Sequence, residues 1–396
     1  MTDPVQYNPY DYRIHEDPYP TYARLREEAP LYHNGEQGFW ALSRHEDVIA
    51  GFRNPAQLSN RFGVSLDPAA YGPEAHRAMS FLGMDPPRHT RMRSLVSKGF
   101  TPRRVADLEA RIHQIATDHL DAALQREEFD FVADLAGLLP MDVISEMLGL
   151  PTGDRVELRR LSDALVHRDE GFLDVPATAV HAALSLAGYF ADLIAARRRA
   201  PGSDLTSALT VAEIDGDRLT DDEVISFLIL MIVAGNETTT KLLSNAWYWA
   251  WRHPDTKTTV LADPDRVPDW VEETLRYDTS TQMLVRVTTG AVELLGETIP
   301  DSCPVLLLLG SANRDPRVFP EPDRYDIDRD TSKLISFGAG RHFCLGAALA
   351  RLEARVVLRL IAERVADYDV DGDRIARMHS ANVRGFASLP STAKAR

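Results

Sequence analysis

The sequence predicts a mainly α-helical fold with small β-sheets, built as one large domain. Three observations predict it. Helical signals, with apolar residues spaced to form one buried face, dominate most of the chain. β-type runs are few and short, near residues 31–42 and between 285 and 309. No linker, low-complexity stretch or internal repeat divides the 396 residues, and 44% apolar content is ample for one core of that size. The nearest candidate boundary, Arg197-Arg198-Arg199-Ala200-Pro201-Gly202-Ser203-Asp204, reads as a helix end and a turn.

Taken in order, Pro18 to Glu28 reads as a first helix, followed by short strands at Leu31–His33 and Gly38–Leu42. Residues 54–86 are rich in Asn, Pro, Gly and Asp and read as a long irregular segment, a length that in a compact domain points to a lid or binding loop. A helix opens near Pro87 and runs to about Lys98, and Thr101-Pro102 starts the next. Helices continue to about Arg199, with a loop around His167–Pro176. The longest helix runs from about Asp221 to Trp251, and Thr220 with Glu223 makes a capping box at its start. Val224 to Ala234 is apolar except for Ser226, so this helix should be buried all round. Eleven such residues are too few to span a bilayer, and it reads as a core helix. Strands follow at Val285–Thr289, Val292–Leu295 and Val305–Leu309, then a largely irregular stretch over 311–340 and a last helix over about 345–364.

A net charge of −15 argues against a nucleic-acid partner. Two cysteines, Cys303 and Cys344, exclude a disulfide framework and suit a reducing cytoplasm. The polar, acidic start of the chain reads as neither a signal peptide nor a membrane anchor. With no flavin- or nucleotide-binding domain in view, any electrons must come from another protein.

The most informative run is Phe337-Gly338-Ala339-Gly340-Arg341-His342-Phe343-Cys344-Leu345-Gly346. Glycines 338 and 340 let the backbone turn and approach a large planar group. Cys344 stands at the mouth of a helix, where unpaired N–H groups and the dipole favour thiolate, the form that ligates metal. One thiolate without other soft ligands fits zinc poorly and fits axial ligation of haem iron. Inside the buried helix, Ala234-Gly235-Asn236-Glu237-Thr238-Thr239 interrupts the apolar run. Polar groups there are costly unless paired or used, and a threonine hydroxyl can bond back one turn and bend the helix. A hydroxyl beside a carboxylate is a combination suited to relaying protons.

The F-G-x-G-x-H-x-C-x-G run resembles the haem-binding loop of the cytochrome P-450 superfamily at all six fixed positions, and the resemblance extends from about Asp17 to Pro390, including Ser311-Ala312-Asn313-Arg314-Asp315-Pro316. It implies the P-450 fold and a soluble, bacterial-type monooxygenase that holds haem b through the Cys344 thiolate. Glu237 and Thr238 match the family's acid–alcohol pair. Haem propionate partners are implied at three places: His89 and Arg93, on one helix face by their i,i+4 spacing in Asp85-Pro86-Pro87-Arg88-His89-Thr90-Arg91-Met92-Arg93; Arg286, ten residues after Arg276; and His342, two before the thiolate. Phe337 and Gly338 belong to the same cradle. Glu273 and Arg276 match the family's E-x-x-R pair, and Arg324 in Pro322-Asp323-Arg324-Tyr325 is expected to join them in a buried structural network. Leu230, Val233 and Ala234, one to two turns before the acid, and Gln282, Leu284 and Val285, just before Arg286, are expected to line the substrate pocket.

The resemblance further implies dioxygen and a lipophilic small-molecule substrate, with a role in secondary metabolism. It also implies a ferredoxin-type electron donor with its NAD(P)H-dependent reductase. A cytoplasmic monomer is expected, and segments 54–86 and 167–176 should be mobile substrate-access loops. Arg88, Arg91, Arg103, Arg104, Arg351 and Arg355 flank the thiolate side, where they would steer an acidic donor. A peroxide-driven peroxygenase and a non-catalytic haem sensor remain alternatives at this point. The chain departs from the family pattern at Ser280, where proline is frequent, at Ser302, where glycine is usual, and at Tyr325, which replaces phenylalanine.

Overall fold

The computed structural model describes residues 3–396 apart from 69, 170–173 and 215. In chain order the helices that matter for the site are α1 (Tyr19–Glu28), α2 (Arg88–Val96), α3 (Glu109–Leu124), α4 (Leu139–Leu148), α5 (Arg155–Val166), α6 (Ala177–Arg199), α7 (Asp221–Arg252), α8 (Val267–Tyr277) and α9 (Ala347–Arg364). Helices α1, α2, α7 and α9 lie within a few residues of their sequence expectations. Segment 54–86 is less irregular than its composition suggests, because it contains a two-residue strand, a helical turn at His76–Met79 and a 3-10 turn at Ser80–Gly83. Of segment 167–176, residues 170–173 lie outside the described residues.

Helix α7 is the axis of the molecule. Its capping box is present as expected: the Thr220 hydroxyl accepts the Glu223 N–H at 3.2 Å, and Glu223 Oε2 accepts the Thr220 N–H at 3.0 Å. Helices α4, α5, α6, α8 and α9 all pack on it. At its C-terminal end Trp247 stacks between Phe131 and Tyr368, at centroid distances of 4.4 and 3.4 Å. By length and composition α6 and α7 each contain an 18-residue window apolar enough to cross a bilayer, so counting only Val224–Ala234 understated the apolar run. In α7, 61% of that window is buried inside the protein, which accounts for its apolarity as core. In α6 the share is 28%, and Val180 and Leu184 are exposed.

A five-stranded sheet flanks the helices. It contains β1 (Leu31–Asn34), β2 (Phe39–Leu42), β3 (Leu58–Ser59), β4 (Met283–Thr288) and β5 (Pro304–Leu308), in the spatial order β1-β2-β5-β4-β3. The β2–β5 pair is parallel and the others antiparallel, with Arg286 opposite Val305 and Leu284 opposite Leu307. Alternation along β4 sends Met283 and Val285 into an aromatic cluster with Tyr7, Tyr22 and Phe39, and turns Leu284 and Arg286 to the other face.

The frame behind the cysteine loop is held by a fully buried ion pair. Arg276 binds Glu273 bidentately at 2.7 and 2.7 Å, and both side chains have 0% exposure. The remaining Arg276 donors reach the carbonyls of Asn313, Pro322 and Arg324 at 3.0, 2.9 and 3.2 Å. The expectation for Arg324 is corrected here. Its side chain is 64% exposed and only its carbonyl meets the network. Arg329 takes the place instead, 8% exposed and 3.5 Å from Glu273, with its guanidinium on the carbonyls of Pro320, Glu321 and Arg324. The physical reason is the turn over 320–324, which presents backbone carbonyls to the pair and folds the next arginine back over it. The Tyr325 departure has a local purpose: its hydroxyl shares a 2.7 Å hydrogen bond with Thr274, which a phenylalanine could not make. Ser302 adopts φ +60°, the left-handed region that explains why glycine is usual there. Arg329→Ala leaves the Glu273–Arg276 pair in place but removes the donor to the carbonyls of Pro320, Glu321 and Arg324, so it should destabilise the protein by roughly 1–3 kcal/mol. Arg324→Ala should stay within about 0.5 kcal/mol in denaturant unfolding.

Candidate active site

A cavity of about 210 Å³ lies between α7 and the cysteine loop. The loop forms one wall. Gly338 and Gly340 both sit at φ +69°, and a Cβ on Gly340 would stand 2.9 Å from the Phe52 carbonyl oxygen, so the turn and the approach to Phe52 both require glycine. The Cys344 N–H donates to the Phe337 carbonyl at 3.0 Å, closing the loop, and α9 begins three residues later. The network of the previous section reaches this loop directly. Asn313 accepts the Ile335 N–H at 2.8 Å and donates to Ser336 Oγ at 2.8 Å, and Ser336 donates to the Leu275 carbonyl at 2.6 Å. Arg351, bound to Glu272 at 2.6 and 2.8 Å, lays its guanidinium 4.4 Å from the Phe337 ring centroid.

Cys344 lies deep in the protein yet is exposed to the cavity that it lines. Burial therefore pushes its thiol pKa up, and this outweighs the N–H groups of Gly346 and Ala347 and the charges of Arg93 and Arg351 that lower it. The sequence expectation of a ready-made thiolate is thus corrected for the ligand-free chain: desolvation wins over the helix N-terminus.

Beside the thiol, basic and imidazole groups converge with few partners. His342 lines the cavity, and its ring lies 4.1 Å from that of His89. Neither ring nitrogen of either histidine has a hydrogen-bond partner, and Arg93 Nη1 has none, although Arg93 Nη2 donates to the Phe343 carbonyl at 2.6 Å. Arg286 is 2% exposed and donates only to the neighbouring Val285 carbonyl, at 2.7 Å. Burial, then Arg93, lowers His89 to about 4; burial, then Arg286 and both neighbours, lowers His342 to about 2; burial lowers Arg286 to about 10. Such a cluster is costly as it stands, and an anion would relieve it.

The opposite wall is α7. Leu230, Ala234 and Thr238 line the cavity as expected, and Leu284 joins them from β4. Thr238 Oγ1 donates to the Ala234 carbonyl at 2.7 Å, the back-bond expected of a threonine in a buried helix, yet α7 continues unbroken. Val233, Gln282 and Val285 do not line the cavity. Val233 lies on another side of α7; Val285 is turned away by the strand alternation; Gln282 points to Tyr19 and the Thr279 carbonyl, at 3.4 and 2.7 Å. Glu237, one residue before Thr238, is likewise off the cavity wall. It is 2% exposed, 3.2 Å from Asn236 Nδ2 and 3.6 Å from Lys241 Nζ. Burial raises its pKa against the pull of Lys241, and the exposed Asp163 raises it further.

Several wall residues escaped sequence reasoning. Thr279 and Thr281 line the cavity on either side of Ser280, the departure already named, and Asn60, Val64, Phe81 and Leu82 come from the segment over 54–86. Glu353 also lines it, with Oε2 unpartnered. A signal for Glu353 existed: it stands four residues after Leu349 and three before Val356, on the apolar stripe of α9. Its pKa rises to about 8 by burial alone. The native state then keeps a proton that the unfolded chain releases above about 4.5, so Glu353 costs stability progressively as pH rises through about 8. Glu353→Gln should melt close to wild type at pH 5 and clearly above it at pH 9 in thermal scans; a pH-independent gap would show that Glu353 is charged or paired.

The family model for cytochrome P450 matches residues 186–366. Cytochrome P450 123 of Mycobacterium tuberculosis is 58% identical over 390 residues, covering 98% of this chain and 97% of that protein. The vitamin D(3) 25-hydroxylase of Pseudonocardia autotrophica is 40% identical, covering 95% and 94%. The crystal structure of CYP109E1 from Bacillus megaterium in complex with testosterone superposes with a TM-score of 0.89 at 30% identity, covering 96% of this chain and 98% of that one. The chain belongs to the cytochrome P450 family, whose members are haem-thiolate monooxygenases.

Proposed function

We propose that the chain inserts one oxygen atom of dioxygen into a lipophilic small molecule, by hydroxylation or epoxidation, using electrons from a separate ferredoxin-type donor and its NAD(P)H-dependent reductase. The observation that carries this reading is the meeting, at one cavity, of a single thiol, the side chains of Arg286 and His342 with His89 and Arg93 packed beside them, and a helix hydroxyl on the facing wall. Haem b fits these residues. Its two carboxylates match the unpartnered nitrogens of His89, Arg93 and His342 and the buried guanidinium of Arg286, and Phe337 and Gly338 line the same cavity as Cys344. Metal ligation requires the thiolate, so loading the site releases the proton that burial holds on Cys344. When bound, the group supplies the redox chemistry that splits dioxygen, with one atom going to substrate and one to water.

The chain's own residues bind, orient and deliver protons. The walls are aliphatic and aromatic, with Leu230, Ala234, Leu284, Phe81 and Ile144 facing inward, which favours a lipophilic ligand and excludes bulk water. Two relatives agree in kind, one by its vitamin D(3) substrate and one by its bound testosterone. The Thr238 hydroxyl spends its proton on Ala234, so it faces the cavity as an acceptor that can hold a water. Glu237, buried and with a raised pKa, lies between Thr238 and the exposed Asp163, a position from which a proton can pass inward from solvent.

Access belongs to the two loops. Val64, Phe81 and Leu82 of segment 54–86 are in the wall, and Asp67 of that segment binds Arg168 of the second at 3.0 and 2.7 Å, so the two segments close on each other through a buried pair. On the thiolate side the basic patch is smaller than its sequence suggests. Arg91 is bound by Asp217 and Glu223, and Arg351 by Glu272. Among the described residues, Arg88, Arg103, Arg104 and Arg355 are exposed and in no ion pair, and these four are the steering surface for an acidic donor.

Two experiments test the reading. Cys344→Ser should abolish the red-shifted Soret band of the ferrous carbonyl complex even if haem is retained; an unchanged carbonyl spectrum would sink the assignment. Thr238→Ala should leave the substrate-induced spin shift nearly intact while more of the NAD(P)H consumed ends as peroxide. Equal product and peroxide per NAD(P)H in both proteins would leave Thr238 as a structural residue of α7.

A further inference from the structure

Ser280 stands where the family pattern favours proline, and its hydroxyl donates to the main-chain carbonyl of Thr238 at 2.8 Å. That carbonyl lies inside α7, where the helix ladder already gives it one donor; Ser280 occupies its second lone pair. One turn earlier the Ala234 carbonyl also has a second donor, the Thr238 hydroxyl. The turn from Ala234 to Thr238 is therefore gripped at both ends, and extra donors on helix carbonyls tilt the peptide planes they bind.

The segment that carries Ser280 is itself fixed. The Asp278 carbonyl accepts from Asn245 Nδ2 at 2.8 Å, the Thr279 carbonyl from Gln282 Nε2 at 2.7 Å, and the Ser280 carbonyl from the Arg384 N–H at 2.8 Å, while Thr281 bridges to Val383. Ser280 is 6% exposed and lines the cavity. It joins a rigid wall to the one helix turn whose hydroxyl faces the cavity. We propose that Ser280 is a positioning residue for Thr238: by holding the Thr238 carbonyl it fixes where the Thr238 hydroxyl stands, and so how efficiently protons reach the reaction. A proline at this position has no donor and could not do this.

The proposal rests on the proposed monooxygenase reading, and its test separates the two. With substrate, a ferredoxin and its reductase, product and peroxide per NAD(P)H are measured for wild type, Ser280→Ala, Ser280→Thr, Thr238→Ala and the Ser280→Ala/Thr238→Ala double variant. Loss of one hydrogen bond should cut coupling about three-fold in Ser280→Ala. Ser280→Thr, which keeps the hydroxyl, should restore it, and the double variant should couple no worse than Thr238→Ala alone. Independently of turnover, the Thr238 carbonyl ¹³C signal in the diamagnetic ferrous carbonyl form should move upfield in Ser280→Ala and return in Ser280→Thr. Unchanged coupling in Ser280→Ala, or an equal further loss in the Thr238→Ala background, would overturn the proposal. So would a loss of substrate affinity at constant coupling, which would make Ser280 a substrate contact. If wild type itself does not turn over, the functional reading fails, while the carbonyl shift still decides whether Ser280 holds Thr238.

Discussion

The fully buried pair of Glu273 and Arg276 is the interaction on which the rest of the site depends. An unpaired charge at 0% exposure would be untenable, so every remaining donor and acceptor of the two side chains must be met. Meeting them draws in the carbonyls of Asn313, Pro322 and Arg324, the N–H of Asp326 and the guanidinium of Arg329. Asn313 passes the constraint on to Ile335 and Ser336, the residues that lead into Phe337 and Gly338. The irregular stretch over 313–339 is thereby tied to α8, and the thiol that follows it lines the cavity.

Around that thiol the chain accepts local costs. Histidines held neutral by burial, an arginine with one bond to its neighbour's carbonyl, and a glutamate kept protonated are arrangements that folding alone does not favour. They are tolerated because the surrounding core is large and because two carboxylates and a metal would relieve most of them. The Cys344 thiol obeys the same logic: it stays protonated in the bare chain because desolvation exceeds the helix-terminal attraction, and a metal reverses the balance.

The departures from the family pattern show how a substitution can be absorbed by one new interaction. Tyr325 gains a hydrogen bond to Thr274, Ser280 gains one to the Thr238 carbonyl, and Ser302 bears a left-handed backbone beside Asp301. Two of the three tie neighbouring elements together, and only the Ser280 bond touches the wall that faces the cysteine loop.

Much was legible in the sequence because it depends on local spacing. The capping box at Thr220, the all-round burial of α7, the glycine turn before Cys344, and the shared face of His89 and Arg93 follow from helix geometry and backbone freedom, which the chain carries within a few residues. What the sequence could not decide were choices made between segments. Which arginine closes on Glu273 depends on a turn that brings Arg329 back and leaves Arg324 in solvent. Which residues of β4 face the cavity depends on a strand register set by pairing with β5, and that register turns Leu284 and Arg286 inward and Val285 away. Whether Cys344 is a thiol or a thiolate depends on how much protein encloses it, and Glu353 and Ser280 gain their significance only because α9 and the 279–281 segment are brought to the same cavity. Local spacing is written in the chain, whereas register, enclosure and contact between distant segments are settled by packing, where burial sets the energy of every polar group.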